Sequence, residues 1–162
     1  MQIIINILFV ICAFFLTEFL AWSVHKYVMH GILWYLHQDH HQKRAGFFEK
    51  NDTFFLIFAI PSWLCMMYGV MGGCDYRLYI GIGIALYGVA YFLVHEILIH
   101  QRFKWWTRTN NVYFLGLRKA HKVHHKSLGK EHGSCFGMLV VPFRYFREAK
   151  KSRNGLDITS AA

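Results

Sequence analysis

The sequence predicts an all-α integral membrane protein, a helical bundle with about three to four membrane helices. Two observations predict this fold: three long apolar segments, and basic residues gathered on one side of them. The composition agrees, since 55% of the residues are hydrophobic and 18% aromatic. A soluble, all-helical core is the alternative, but uncharged runs of this length are rare in soluble proteins.

The three apolar segments are residues 3–22, 54–71 and 78–94, and the last two carry no charge. Each is close to the roughly 20 residues that a helix needs to cross a bilayer. The first has no basic start and contains Glu18, so we expect a retained membrane helix and not a signal peptide. Whether the apolar stretch 136–146 forms a fourth membrane element stays open.

The basic residues predict the orientation of the chain. Of eighteen Lys and Arg, four (Lys26, Lys43, Arg44 and Lys50) lie between the first two segments, thirteen follow the third, and Arg77 alone lies in the turn 72–77. Because Lys and Arg collect on the cytoplasmic side, the sequence predicts a multi-pass protein of the inner (cytoplasmic) membrane with this turn outside. The net charge of +9 suits anionic lipid, and no nucleic-acid-binding signature is present, so we expect no nucleic-acid partner.

Ten of the eleven histidines form four clusters in which two spacings, HxxxxH and HxxHH, occur twice in the same order. They are box 1 (His25, His30), box 2 (His37, His40, His41), box 3 (His95, His100) and box 4 (His121, His124, His125). Imidazole is the commonest metal ligand, and packing alone does not explain such a repeat. All four boxes follow cytoplasmic ends of apolar segments, so we predict a cytoplasmic-side helical cap that carries them.

The spacings predict how each box presents its rings. In HxxHH the residues i, i+3 and i+4 share one helix face, so each triple can point at a common centre. In HxxxxH the rings lie about 140° apart on an ideal helix, so such a pair needs a π-bulge or a helix end, or else spans two metals.

Ten donors are too many for one ion, so we predict two metal ions bound by the ten box histidines. The four cysteines show no CxxC spacing, and we expect them to be small buried apolar residues. Redox iron is therefore favoured over structural zinc, while other transition metals remain open.

Three carboxylates lie near the boxes. Glu18 lies in a membrane segment, where a charge is costly and usually functional, and it precedes His25 by seven residues on the same helix face. We expect it to orient a ligand imidazole; binding the metal directly and pairing with a Lys or Arg are the alternatives. Asp39 and Glu96 are predicted to do similar work, or else to be solvated charges. His132 lies outside the repeated spacings, and we expect it on the surface.

The ordered boxes resemble the fatty acid hydroxylase superfamily of membrane di-iron oxygenases, and more narrowly its bacterial β-carotene hydroxylase branch. The neighbours of the boxes extend the resemblance, in residues 17–18, 21–22, 25–31, 34–41, 95–102 and 136–139. It covers nearly the whole chain up to about Lys151. Box 3 departs from it, because relatives often have Asp-Gly where this chain has Glu96-Ile97.

The resemblance implies a di-iron monooxygenase domain over residues 1–150. The polar composition that follows predicts a loose C-terminal tail over 151–162. It implies O2-dependent hydroxylation at C3 of the β-ionone rings of β-carotene, to β-cryptoxanthin and then zeaxanthin. The cofactors would be two non-haem Fe ions, with O2 as co-substrate and electrons from an external ferredoxin-type donor and its reductase. No catalytic residue beyond the metal site is implied.

Two alternatives remain at this point. The ligand set does not encode the substrate, so another lipid, fatty-acid or sterol hydroxylase or desaturase of the same superfamily is the nearest rival. A non-catalytic membrane metal-binding or haem protein is the rival from a different class.

Overall fold

A computed structural model describes residues 1–42 and 46–159, which form helices and no strand. The helices are α1 (Gln2–Ser23), α2 (Trp34–His41), α3 (Phe55–Met71), α4 (Tyr76–Tyr91), α5 (Val112–His124) and α6 (Arg144–Thr159). Two π-helical segments, Val24–Ile32 and Phe92–Ile99, continue α1 and α4, and a 3-10 turn, Lys50–Phe54, leads into α3. The predicted all-α fold is confirmed.

Three helical stretches are long and apolar enough to cross a membrane: Gln2–Ile32, Lys50–Met71 and Tyr76–Ile99. They contain the three predicted segments. Large apolar side chains such as Ile4, Ile7 and Phe15 are exposed along α1. That exposure suits a lipid solvent, in which apolar side chains face outward at no cost.

Helix α4 lies at the centre of the membrane bundle, because α1 and α3 both pack on it and, over the described residues, not on each other. Its glycines allow close approach. A Cβ at Gly83 would lie 2.5 Å from the Val10 carbonyl oxygen of α1, and one at Gly81 would lie 2.8 Å from the Ser62 carbonyl oxygen of α3. Small residues at such crossings bring helix backbones together. One side of α4 is thereby left uncovered between α1 and α3.

The segment that precedes α6 is not a fourth membrane helix. Residues 128–142 contain no helix, and the amides of Met138, Leu139 and Val140 donate to Glu18. Helix α6 then packs on α5 and continues to Thr159. The backbone of residues 151–159 continues helix α6, and the loose polar tail expected over 151–162 otherwise stays a prediction. The final three residues, and Lys43 and Arg44 of the predicted cytoplasmic charges, lie outside the described residues.

The cysteines are not buried as expected. Cys12 and Cys74 are exposed, and Cys65 and Cys135 are half-buried. The expectation was wrong because Cys12 and Cys65 lie on apolar helices that leave many side chains uncovered, while Cys74 and Cys135 lie in connecting segments.

Gly83→Ala is expected to destabilise the bundle, since the added methyl group meets the α1 backbone, and such overpacking costs about 1–3 kcal/mol. Gly88→Ala is the matched control on the same helix, because no atom lies within 4 Å of a Cβ built there. Thermal unfolding in detergent should show a lower midpoint for Gly83→Ala and an unchanged or higher midpoint for Gly88→Ala. Equal midpoints would contradict the close α1–α4 crossing.

Candidate metal centre

Boxes 1 and 3 lie on the two π-helical segments, and this helix type brings histidines five residues apart onto the same side. In a π-helix the backbone hydrogen bond joins residue i to residue i+5, and the His100 amide donates to the His95 carbonyl at 2.9 Å. The two rings of box 1 therefore lie 5.3 Å apart between centroids, and those of box 3 lie 4.4 Å apart. The predicted π-bulge is confirmed, and neither pair spans two groups.

Nine of the ten box histidines gather into two groups in which all candidate ligand nitrogens lie within 4.8 Å of one another. The first histidine group is His25, His30, His37, His41 and His124, and the second histidine group is His40, His95, His100 and His121. Each group contains one complete HxxxxH box. Both occur where α1 and α4 end, beside α2 and α5.

The HxxHH boxes do not each point at one centre; they divide between the groups. On a helix, the first and third histidines lie about 40° apart, while the second lies about 60° away on the other side of the first. The second histidine therefore faces the other group. The exchanged residues are His40, which joins the second group from α2, and His124, which joins the first group from α5.

His125 completes this pattern. By position it matches His41, and its ring lies 4.5 Å from His121 and 4.9 Å from His100, between centroids. Its Nε2 is buried and has no hydrogen-bond partner in the described part of the chain. A buried orphan nitrogen beside four converging imidazoles fits a fifth donor of the second group. His132, by contrast, is exposed and belongs to neither group.

The distances between nitrogens match metal coordination. Nε2 of His37 lies 3.1 Å from Nε2 of His25 and 3.2 Å from Nε2 of His41, and the Nε2 atoms of His40 and His95 are 3.2 Å apart. Two nitrogens at about 2.1 Å from one ion lie about 3.0 Å apart in an octahedron and about 3.4 Å apart in a tetrahedron. The donor set therefore fits one metal ion per group.

Backbone carbonyls fix the tautomer of most rings in the first group. Four of its imidazoles place Nδ1 against a carbonyl oxygen, which accepts hydrogen bonds only. These pairs are His25 with Phe136 (2.9 Å), His30 with Lys130 (3.2 Å), His41 with Ser127 (2.9 Å) and His124 with Ser134 (2.8 Å). In a neutral ring the proton is then on Nδ1, and Nε2 presents a bare lone pair to the centre of the group.

Burial keeps these rings neutral. It lowers the pKa of His41 to about 4, of His37 and His124 to about 3 and of His125 to about 2, with neighbouring histidines lowering it further. The pKa values of His40 and His121 also lie well below the usual range for the same reason. Neutral imidazole is the form that binds metal.

Among the predicted carboxylates, Glu96 contacts a box histidine, with Oε1 2.6 Å from Nδ1 of His95. Asp39 does not: its Oδ2 accepts from the Lys50 amide at 2.7 Å, and so it holds the 3-10 turn. Two residues that the sequence analysis missed are on or beside that turn. Asn51 Oδ1 lies 2.6 Å from Nδ1 of His37, and Glu49 Oε2 lies 2.7 Å from Nδ1 of His40. Their only signal is a polar run, residues 49–52, directly before an uncharged segment.

Glu18 was predicted to contact a ligand imidazole, but it contacts backbone amides and a tyrosine hydroxyl instead. Its Oε1 accepts from the amides of Met138, Leu139 and Val140 at 2.9 to 3.1 Å, and its Oε2 accepts from the Tyr87 hydroxyl at 2.8 Å. None of these partners is an imidazole. Glu18 anchors the segment whose Phe136 carbonyl orients His25, because a buried carboxylate needs several donors.

An apolar cavity of about 680 Å³ ends on both groups. It occupies the uncovered side of α4 between α1 and α3, where Trp22, Phe58 and Trp63 line it, and its inner wall includes histidines of both groups. Those histidines are His25, His37, His40 and His95. The aromatic residues Tyr87, Tyr91 and Phe92 also line it. Its size lies within the range of small-molecule sites, roughly 300–1,000 Å³.

The fold and the two groups define a membrane protein with a candidate two-metal centre beneath an apolar cavity. The chain belongs to the fatty acid hydroxylase family, which residues 10–143 match. It is 40% identical to a β-carotene hydroxylase of Pantoea ananas over 77% of this chain and 71% of that protein. It is 38% identical to one of Pseudescherichia vulneris (85% and 78%) and 33% identical to one of a Paracoccus species (85% of each). No solved structure matches the chain.

The metal-free protein is expected to lose stability as the pH falls from 6.5 towards 4. Unfolded imidazoles take up protons near pH 6.5, whereas His37, His41 and His124 stay neutral in the fold until about pH 3–4. In that window the unfolded chain binds more protons, so acid favours unfolding by about 1.4 kcal/mol per pH unit for each such histidine. Unfolding of chelator-treated protein at several pH values measures this dependence. His124→Gln should flatten the profile, and His132→Gln should not; a profile without slope would contradict buried neutral rings.

Glu18→Gln is expected to loosen the segment 138–140, because hydrogen bonds to a charged acceptor contribute about 1.5–3 kcal/mol each. Hydrogen exchange of the three amides should accelerate at least tenfold. Tyr87→Phe, which removes the single hydroxyl donor, should change exchange far less. If Glu18 were a metal ligand instead, the substitution would weaken metal binding while the exchange of these amides stayed slow.

Proposed function

We propose that this protein is a membrane di-iron monooxygenase that hydroxylates the β-ionone rings of β-carotene at C3, giving β-cryptoxanthin and then zeaxanthin. The observation that carries the proposal is the apolar cavity that ends on histidines of both groups. The names of the relatives point to the same substrate.

The cavity suits a long hydrocarbon dissolved in the bilayer. Because α1 and α3 do not close over α4, a carotenoid can enter sideways from the lipid with one ring leading. Trp22, Phe58 and Trp63 then surround the ring, while the remaining polyene stays in the membrane. The position of the C3 carbon is set by how far the ring advances before it meets the histidine wall.

The first histidine group would hold one iron, and the second group with His125 would hold the other. Bound iron supplies the reaction of O2 with two electrons and two protons that converts C–H to C–OH and releases water. The chain's own residues orient the imidazoles through Nδ1, keep them unprotonated and surround the reacting carbon with apolar side chains. The described residues contain two groups of four or more histidines, whereas a bis-histidine haem site has two axial imidazoles.

The electrons would come from a ferredoxin-type donor on the cytoplasmic side. Thirteen Lys and Arg follow the third membrane segment, on the side where the histidine groups lie. Positive charge at that end favours a cytoplasmic orientation in the inner membrane, and it also favours approach of an acidic carrier.

The chain is expected to convert β-carotene to zeaxanthin in cells that accumulate β-carotene. His37→Ala and His95→Ala, one from each group, should lower the conversion at least a hundredfold, because each removes a cavity-facing ligand. His132→Ala is the matched control and should retain activity. Chromatography of extracted pigments measures the products.

The purified wild-type protein should contain about two irons per chain. Two irons without any hydroxylated pigment would remove the carotenoid assignment and favour another lipid hydroxylase or desaturase of the family. Activity that survives loss of either histidine would contradict the two-iron centre.

A further inference from the structure

The two histidine groups differ in what holds the outer nitrogen of each ring. In the first group every Nδ1 contact is to a neutral acceptor, four backbone carbonyls and the Asn51 amide oxygen. In the second group, His40 and His95 instead face carboxylates, Glu49 at 2.7 Å and Glu96 at 2.6 Å. A carboxylate partner makes an imidazole a more basic ligand than a carbonyl does.

Arg102 joins these two carboxylates. Its Nη2 lies 3.3 Å from Glu49 Oε2. Its Nε lies 3.0 Å from Glu96 Oε2, close enough for an ion pair but not aligned for a hydrogen bond. A third contact, from Nη1 to Asp52 Oδ1 at 2.9 Å, ties the guanidinium to the 3-10 turn. The side chain is 16% exposed, so water screens these contacts only in part.

The three contacts join the segment before α3 to the segment after α4, which are distant in sequence. Glu49 precedes α3, Glu96 lies on the π-helical segment after α4, and Arg102 follows that segment. The Nε2 atoms of His40 and His95, which these carboxylates orient, are 3.2 Å apart. One guanidinium therefore fixes the relative orientation of a ligand from box 2 and a ligand from box 3.

We propose that Arg102 is a positioning residue for the second histidine group alone, acting through Glu49 and Glu96 on His40 and His95. The inference rests on the proposed two-iron centre. No contact described for Arg102 reaches a ring of the first group or an acceptor of one. Asn51 is near in sequence, but its side chain is held by His37.

The test uses the full-length protein in detergent, loaded with ⁵⁷Fe and dialysed against increasing chelator. Arg102→Gln is expected to lower the affinity for one of the two irons by 10- to 100-fold and to leave the affinity for the other unchanged. Loss of a residue that orients a metal ligand usually has an effect of this size. Arg102→Lys, which keeps the charge but cannot span both carboxylates, should retain more of that iron. Arg77→Gln is the matched control, because Arg77 pairs with Asp75 in the turn that joins α3 to α4.

Mössbauer spectra identify which iron is affected. Glu96→Gln should alter the same quadrupole doublet as Arg102→Gln, and Asn51→Ala should alter the other. The conservative Glu96→Gln also serves if Arg102→Gln fails to fold, since it must still change one doublet alone. Equal weakening of both irons, or a change in the Asn51-sensitive doublet after loss of Arg102, would overturn the proposal.

These readouts are separate from carotenoid conversion. A protein with two irons and no hydroxylated product would refute the substrate, while the selective effect of Arg102 would still be measured. Wild-type protein that retains fewer than two irons would overturn both the centre and this inference.

Discussion

Imidazoles face one another in this structure with Nε2 atoms 2.8 to 3.3 Å apart. Where a carbonyl holds the proton on Nδ1, as in the first group, the bare Nε2 lone pairs of neighbouring rings repel at that distance. A cation bound between the rings would replace this repulsion with metal–ligand bonds. The surrounding residues hold the rings in the orientation that such binding requires. The carbonyls of residues 127–136 fix the tautomers, and burial prevents protonation. The Glu18 anchor holds one of those carbonyl segments against the membrane helices.

The membrane helices and the site depend on each other at the ends of α1 and α4. A regular α-helix would turn the two members of an HxxxxH box away from each other, so the switch to π-helical geometry is what allows a straight membrane helix to end in a metal-ligand pair. The same ends form the inner wall of the apolar cavity. The histidines thus lie at one end of the membrane helices, and the apolar cavity extends from them along α4.

The apolar runs were enough to predict the three membrane segments. The repeated spacing of the histidines led to the prediction of two ions, and it offered a π-bulge as one way to bring the rings of boxes 1 and 3 together. It did not predict how the HxxHH boxes divide, because a shared helix face leaves open whether residues 60° apart serve one centre or two. Glu49 and Asn51 were missed since they lie outside every box and act only through the folding of the 3-10 turn onto α2. Glu18 was singled out correctly as a costly charge, but its partners are amides some 120 residues later, which no local pattern reveals.

The exchange of His40 and His124 has a consequence for biosynthesis. The first group lacks His124 until α5 has been synthesised and has docked. The second group takes His40 from α2 and its other ligands from the later part of the chain. Neither position is complete on a nascent polypeptide that has threaded only its first helices into the bilayer. Both complete donor sets therefore form only after α5 has been made and has docked, so a metal ion bound in either group would join α5 to the helices at the start of the chain.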